Sequence, residues 1–267
     1  MKIAILGGGA MGEAIIRGVL AVGSIPPEDI SVCDIDASRL DTLKKTYKVK
    51  TVKDYNSAIN DAELVVLAVK PQTLPALIPD IKGKIKKGQL VLSIIAGAKI
   101  ATISKGLGHD QIVRAMPNTP AQIGVGMTAW TASAKVTTKQ KKLAQTILDA
   151  LGEEVYFSDE KYIDMATAVS GSGPAYVFYM IEGLIDAAVR LGLPRETAGE
   201  LVLETVLGAA LLAKQSPKSP QELRKQVTSP GGTTAAGIAL LESGKFKELL
   251  ADTVAAAHKR AKELGGK

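Results

Sequence analysis

The chain begins with a short apolar run, Lys2–Leu6, that passes directly into Gly7-Gly8-Gly9-Ala10-Met11-Gly12 and then into an apolar helical pattern, Glu13–Leu20. A strand, a G-x-G-x-x-G turn and a helix in that order leave few options. Gly7 permits the tight turn, Gly9 lets backbone approach a pyrophosphate, and Gly12 lets the helix pack on the strand. The anion then rests on a helix N-terminus, where free N–H groups and the dipole favour negative charge. Asp34 closes a second apolar run, at the place where an acid holds the adenosine ribose hydroxyls. Strand, loop, helix and acid together predict a dinucleotide-binding α/β domain. Gly8, an additional glycine, is expected to loosen the loop. Asp34 disfavours a 2′-phosphate and leans the chain toward NADH, whereas Arg39 could offset it for NADPH; Lys44 and Lys45 are expected on a solvated helix face.

Further strands are predicted over Ser31–Asp34, Val49–Val52, Leu64–Val69, Leu90–Ile94, Gln111–Met116, Gly126–Thr131 and Glu153–Phe157, with amphipathic stretches such as Gly12–Val22, Arg39–Thr46 and Lys139–Leu151 between them. Such alternation implies a parallel sheet with helices on both faces. The last three strands follow too closely for full crossovers, so a mixed extension at one edge is expected. Two loops, Ala68-Val69-Lys70-Pro71 and Ser93-Ile94-Ile95-Ala96-Gly97, fall at carboxyl ends of strands, where open α/β sheets bind ligands. Their small residues and proline would let backbone line a cofactor; ordinary strand termination would also account for them.

Beyond residue 160 the strand signals stop. Pro174–Leu193 is apolar on nearly every face, and Pro194–Gln215 follows with a proline at its first helical position and Glu196 in its first turn. Shorter helices are predicted at Ser219–Gln226, Thr233–Ser243 and Lys245–Leu264. A helix apolar on most faces must be buried on most faces, and this half of the chain is too small to bury two of them. Either the first domain covers them or a subunit interface does; the interface is the simpler solution and predicts an obligate dimer or larger.

Composition narrows the function. With 46% hydrophobic residues the chain is not intrinsically disordered. The net charge is +6, with basic patches at Lys82–Lys87, Lys139–Lys142 and Lys259–Lys267. None of these patches contains an aromatic residue, which single-stranded nucleic-acid platforms require, so an enzyme for anionic small molecules fits better. Cys33, the single cysteine, can form neither an internal disulfide nor a cysteine-based metal cluster. No spacing of His or acidic residues suggests a metal. No segment reaches the roughly 18 apolar residues of a membrane span, and the N-terminal run lacks signal-peptide length and cleavage box. A soluble, cytoplasmic protein is expected. Alcohol oxidation needs a proton-transferring group, yet His109, in a turn, and His258, on the lysine-rich last helix, both read as surface positions.

One segment stands apart: Val227-Thr228-Ser229-Pro230-Gly231-Gly232-Thr233-Thr234. It breaks one helix and begins another. The N–H groups of Gly232, Thr233 and Thr234 are expected to point out of the new helix, beside the hydroxyls of Ser229, Thr233 and Thr234, as a seat for a carboxylate. A plain N-cap would need only one of those hydroxyls. Ser170-Gly171-Ser172-Gly173-Pro174-Ala175-Tyr176 reads equally as a site loop or as a hinge into the long apolar helix.

With those motifs the chain resembles the pyrroline-5-carboxylate reductase family over its whole length: GGGAMG, AVKP, SIIAG, RAMPNTP (Arg114–Pro120), SGSGPAYVF, LGLPR (Leu191–Arg195) and VTSPGGTT. The resemblance implies a Rossmann-type doubly wound domain over residues 1–158 and an all-α dimerisation and substrate-binding domain over residues 159–267, with a site shared between subunits. It implies that Val227, Ser229, Gly231, Gly232, Thr233 and Thr234 bind substrate with Glu160, and that Thr234 hydrogen-bonds the imine nitrogen of 1-pyrroline-5-carboxylate. On the cofactor side it implies Ala10, Met11, Lys70, Pro71, Ala96 and Asn118, beside the glycine loop, Asp34, Ala68, Val69 and Ile95. The family often prefers NADPH and commonly has small, hydroxylated or basic residues where this chain has Asp34-Ile35-Asp36, so the cofactor is NADPH or NADH. A protonated cyclic imine needs no strong general acid to accept hydride, in keeping with so few histidines. Two other readings are a β-hydroxyacid dehydrogenase, for which Lys70 or Lys161 would have to serve as acid/base, and a non-enzymatic NAD(P)-binding regulator.

Overall fold

The computed structural model describes residues 1–266; Lys267, the last residue of the basic tail, lies outside the described residues. The elements run β1 (Ile3–Leu6), α1 (Ala10–Ala21), β2 (Ile30–Cys33), α2 (Ala37–Tyr47), β3 (Lys50–Val52), α3 (Tyr55–Ile59), β4 (Leu64–Leu67), α4 (Leu74–Ile81), β5 (Leu90–Ser93), α5 (Ile100–Leu107) and β6 (Ile112–Met116). They continue with β7 (Gly126–Ala132), α6 (Thr138–Asp149), β8 (Gly152–Tyr156), α7 (Lys161–Ala166), α8 (Gly173–Arg190), α9 (Arg195–Gln215), α10 (Pro220–Gln226), α11 (Thr233–Ser243) and α12 (Phe246–Gly265).

All eight strands join one sheet in the order β3-β2-β1-β4-β5-β6-β7-β8. β1, β4 and β5 are buried at every position, as expected for strands covered on both faces. Alternate residues feed opposite layers. Ile3 and Ile5 join Ile15, Ile16, Leu43, Ile147 and Leu148 on one side, while Ala4 and Leu6 join Leu77, Ile81, Ile103 and Leu107 on the other. The expected mixed edge is present, because β6 and β7 pair antiparallel. One part of that expectation needs correction: β7 and β8 are parallel, with α6 as a full crossover. Only the β6–β7 connection is too short for one.

The chain divides into two compact units, residues 1–174 with the terminal stretch from Ala256, and Ala175–Ala255. The first therefore runs past residue 158. Two ion pairs of one buried arginine explain why: Arg114 on β6, 2% exposed, meets the half-buried Glu160 at 2.9 Å and the buried Asp164 of α7 at 2.5 Å. In the same unit the end of α12 packs on the loop after β5, where a Cβ on Gly97 would lie 2.8 Å from the Leu264 Cβ. The second unit is helical. Among the described residues of α8 none is buried, and Ala198 alone is buried on α9. Phe178, Tyr179, Leu203, Leu207 and Leu212 are more than half exposed in the single chain.

Candidate active site

β1 passes to α1 through the glycine loop, and β1 lies between β2 and β4. The sheet order reverses at that point, which opens a crevice at the carboxyl edge of an α/β sheet. Gly7 lies there with φ +111, and a Cβ on it would fall 2.6 Å from the Ala68 carbonyl oxygen. A Cβ on Gly12 would meet the Gly7 carbonyl at 2.1 Å, whereas Gly9 faces open space. Gly9 is also the N-cap of α1 and makes no side-chain cap, so the first N–H groups of that helix are left for an anion. This cradle fits a dinucleotide pyrophosphate.

The neighbouring loops arrive at the same edge. Ala68 and Val69 are half-buried beside Gly7, with the Ala68 N–H donating to the Leu6 carbonyl at 2.8 Å. Lys70 is exposed and precedes a short 3-10 turn starting at Pro71. Ala96 is half-buried, but Ile95 differs from expectation. Its side chain belongs to the core and its N–H donates to Ser93 Oγ at 3.3 Å, so it has little left for a ligand. Asn118 follows β6; its Oδ1 accepts from the Met127 N–H at 2.9 Å and its Nδ2 donates to Ser170 Oγ at 3.3 Å. The amide thereby staples the SGSG segment to the β6–β7 loop. Ala10 and Met11 form the first turn of α1.

The loop is not slack at Gly8. Its N–H donates to Asp34 Oδ2 at 2.6 Å, and its carbonyl accepts from Arg39 Nε. Asp34 Oδ1 accepts from the Asp36 N–H at 2.9 Å. Arg39 also pairs with Glu13 Oε2, and Tyr47 donates its hydroxyl to Glu13 Oε1 at 2.8 Å. The Arg39 hydrogen bond holds the Glu13 carboxyl below the ordinary carboxylate range. Burial, then the Glu13 acceptor, pushes the Tyr47 phenol up. Burial, with Asp34 and Asp54 nearby, raises the Cys33 thiol to about 11, which favours the protonated thiol there.

In the second unit Val227 ends α10 and Gly232 begins α11. Gly231 has φ +74, a conformation that favours glycine, and a Cβ on Gly232 would lie 2.6 Å from Ser229 Oγ, so a side chain there would have to turn the Ser229 hydroxyl aside. No side chain caps α11, and this removes the plain N-cap explanation of the hydroxyl cluster. The donor set shifts by one residue from expectation. Gly232 spends its N–H on the Ser229 carbonyl at 3.1 Å, and the first helical bond runs from the Ala236 N–H to the Gly232 carbonyl at 3.2 Å. The N–H groups of Thr233, Thr234 and Ala235 therefore precede the helical ladder. Ser229, Thr233 and Thr234 are all exposed.

Glu160 is tied on the nucleotide-domain side: its Oε1 accepts from the Ile100 N–H at 2.8 Å, at the start of α5, and from Arg114. Both histidines differ from their expected surface positions. His109 is buried with Nε2 2.9 Å from the Gln89 carbonyl, and His258 Nε2 is buried without a partner. Neither lies among the loops just described. Arg114, Asp164 and Glu13 carry roles that local pattern did not assign. The available signal was an arginine inside the apolar strand Ile112-Val-Arg-Ala-Met116, since a charge there must be paired. Among the described residues no group of His, Cys, Asp or Glu could hold a metal, and no helix is long and apolar enough to cross a membrane.

Comparison with known proteins agrees along the whole chain. Residues 160–264 match the family model of pyrroline-5-carboxylate reductase dimerisation, and residues 2–97 match that of coenzyme F420-dependent NADP oxidoreductase. A pyrroline-5-carboxylate reductase from Synechocystis is 44% identical over 267 residues, covering 100% of this chain and 99% of that protein. The structure of a pyrroline-5-carboxylate reductase from Coxiella burnetii superposes with TM-score 0.91 at 42% identity, covering 98% of each chain. That of Plasmodium falciparum pyrroline carboxylate reductase with NADP bound superposes with TM-score 0.91 at 33% identity, covering 99% of this chain and 98% of that one.

Proposed function

The chain belongs to the pyrroline-5-carboxylate reductase family, and from that premise we propose how its own residues divide the work. It reduces the cyclic imine of 1-pyrroline-5-carboxylate to L-proline with NAD(P)H, the final step of proline biosynthesis, and it self-associates. When bound, the nicotinamide supplies the hydride that adds to the imine carbon. The glycine loop, Ala68–Pro71, Ala96 and Asn118 hold and orient the dinucleotide at the sheet edge. Ile95 supports that edge from the core.

The substrate seat is Val227–Thr234. The uncapped start of α11 is the observation that carries this: three N–H groups, of Thr233, Thr234 and Ala235, receive the substrate carboxylate, with the Ser229 hydroxyl beside them. Thr234 Oγ1 hydrogen-bonds the imine nitrogen. Gly231 and Gly232 keep backbone close, and Val227 lines the ring. Because the substrate nitrogen is already protonated when hydride arrives, the protein's contribution is proximity and orientation. Glu160 enters as an anchor at the start of the helical domain, through Arg114 and α5. The seat is completed by a second subunit. A cytoplasmic location accords with the lone, buried thiol of Cys33.

The test is steady-state kinetics with 1-pyrroline-5-carboxylate against a panel of keto acids. Turnover with the imine and none with keto acids is expected; the reverse would select the hydroxyacid dehydrogenase reading. Thr234→Ala removes one hydrogen bond to the charged iminium N–H, worth roughly 1.5–3 kcal/mol, so kcat/KM is expected to fall about tenfold to a hundredfold. Cofactor titration should be unaffected by that substitution, and Thr233→Ala should be milder. Full turnover in Thr234→Ala would show that the loop is not the seat.

A further inference from the structure

A Rossmann domain meets the 2′ position of the adenosine ribose in one of two ways. An acid at the end of the second strand accepts from the ribose hydroxyls, or an arginine nearby accommodates the 2′-phosphate. This chain has both residues, Asp34 and Arg39, and sequence alone leaves the choice open. The side-chain partners decide it.

Arg39 is engaged through Nε and Nη2 of its guanidinium. Nη2 pairs with Glu13 Oε2, and Nε donates to the Gly8 carbonyl. Glu13 is itself held by Tyr47, from the far end of α2, so the carboxylate is fixed on two sides. A second feature that could attract a phosphate is the N-terminus of α2. It is closed as well: Asp36 caps it, accepting from the Ser38 N–H at 2.9 Å and the Arg39 N–H at 3.2 Å. Asp34 meanwhile lies against the glycine loop through the Gly8 N–H. Each carboxylate oxygen of Asp34 takes one backbone donor and so retains room to accept a ribose hydroxyl. The Arg39 guanidinium is thus matched by the Glu13 carboxylate, while Asp34 and Asp36 accept from backbone N–H groups of the glycine loop and of the β2–α2 turn.

We propose that Glu13 is a specificity-determining residue that sets this enzyme's preference for NADH over NADPH, by withdrawing Arg39 from the 2′ position and leaving Asp34 in command of it. Glu13 acts through Arg39 and is a positioning residue. The inference rests on the reading of Gly7–Gly12 as the dinucleotide loop, and extends it to the phosphorylation state of the cofactor.

Calorimetric binding separates the inference from that reading, using ADP and 2′,5′-ADP as probes on the full-length assembled enzyme. Wild type is expected to bind ADP the more tightly. Glu13→Gln frees Arg39 and is expected to shift the 2′,5′-ADP:ADP affinity ratio about tenfold toward the phosphorylated nucleotide, as one unit charge released at a partly exposed site would do. The double variant Glu13→Gln/Arg39→Met should return the ratio to the wild-type side, which a merely structural role for Glu13 would not produce. Asp34→Ser provides an independent arm: its NADPH:NADH ratio of kcat/KM should rise about tenfold, by loss of like-charge repulsion. Tighter binding of 2′,5′-ADP by wild type, or an unchanged ratio in Glu13→Gln, would overturn the inference while leaving the glycine-loop reading intact. Failure of wild type to bind either nucleotide would overturn both.

Discussion

Arg114→Ala is expected to destabilise the folded enzyme by about 3–5 kcal/mol, the cost of leaving a buried charge without its partner. Asp164 is 9% exposed and loses the guanidinium that offsets its desolvation, while Glu160, more open to water, suffers less. The consequence is local as well as global. Glu160 also takes the Ile100 N–H at the start of α5, and α7 leads into the π-helical turn Thr167–Gly171, whose Ser170 meets Asn118. Urea unfolding at fixed protein concentration measures the loss, since an assembled protein's midpoint moves with concentration. The double variant Arg114→Met/Asp164→Leu should recover most of it, because an apolar pair needs no desolvation to be offset. Arg114→Ala with wild-type stability would mean that the pair contributes nothing to joining α7 to the sheet.

The second large effect concerns assembly. Phe178, Tyr179, Leu203, Leu207 and Leu212 are more than half exposed in the single chain. Burying a leucine contributes roughly 1.5–3 kcal/mol, and a two-fold interface counts each residue twice. Leu207→Glu, which also forces a carboxylate into that surface, is therefore expected to weaken association by about a thousandfold or more. Sedimentation of wild type should show a dimer or larger at micromolar concentration, with no folded monomer. Leu207→Glu should lose assembly and kcat/KM together, because the proposed site is completed by a second subunit. A folded, fully active Leu207→Glu monomer would refute both the interface and the shared site.

Much of the fold was legible in the residues because its causes are local. All eight strands are legible, the central ones because a strand covered on both faces must be apolar throughout, as β1 and β4 are. The long helices declared themselves by proline starts and apolar length. The short ones, α3, α4 and α5, did not: α4 carries Pro79 inside it and forms only because Leu74, Leu77 and Ile81 bury against the sheet. Of the candidate site, the glycine loop and Val227–Thr234 were legible because a tight turn or an uncapped helix start demands particular residues at adjacent positions. The donor shift from Gly232 to Ala235 was not, because it depends on the Ser229 carbonyl folding back over the turn.

Sequence by itself determined where the backbone must turn closely, which runs must be buried, and that the helical half has more apolar surface than it can bury alone. Tertiary structure alone decided who neutralises whom. Arg39 could face a phosphate or Glu13, and Arg114 could have been any buried arginine, until strand order brought Glu13 beside Arg39 and Asp164 beside Arg114. Periodicity and turn chemistry act between neighbours in the chain. The partner of a buried charge, in contrast, is chosen by desolvation, which penalises every arrangement that leaves the charge unmatched and is evaluated only once distant segments have met.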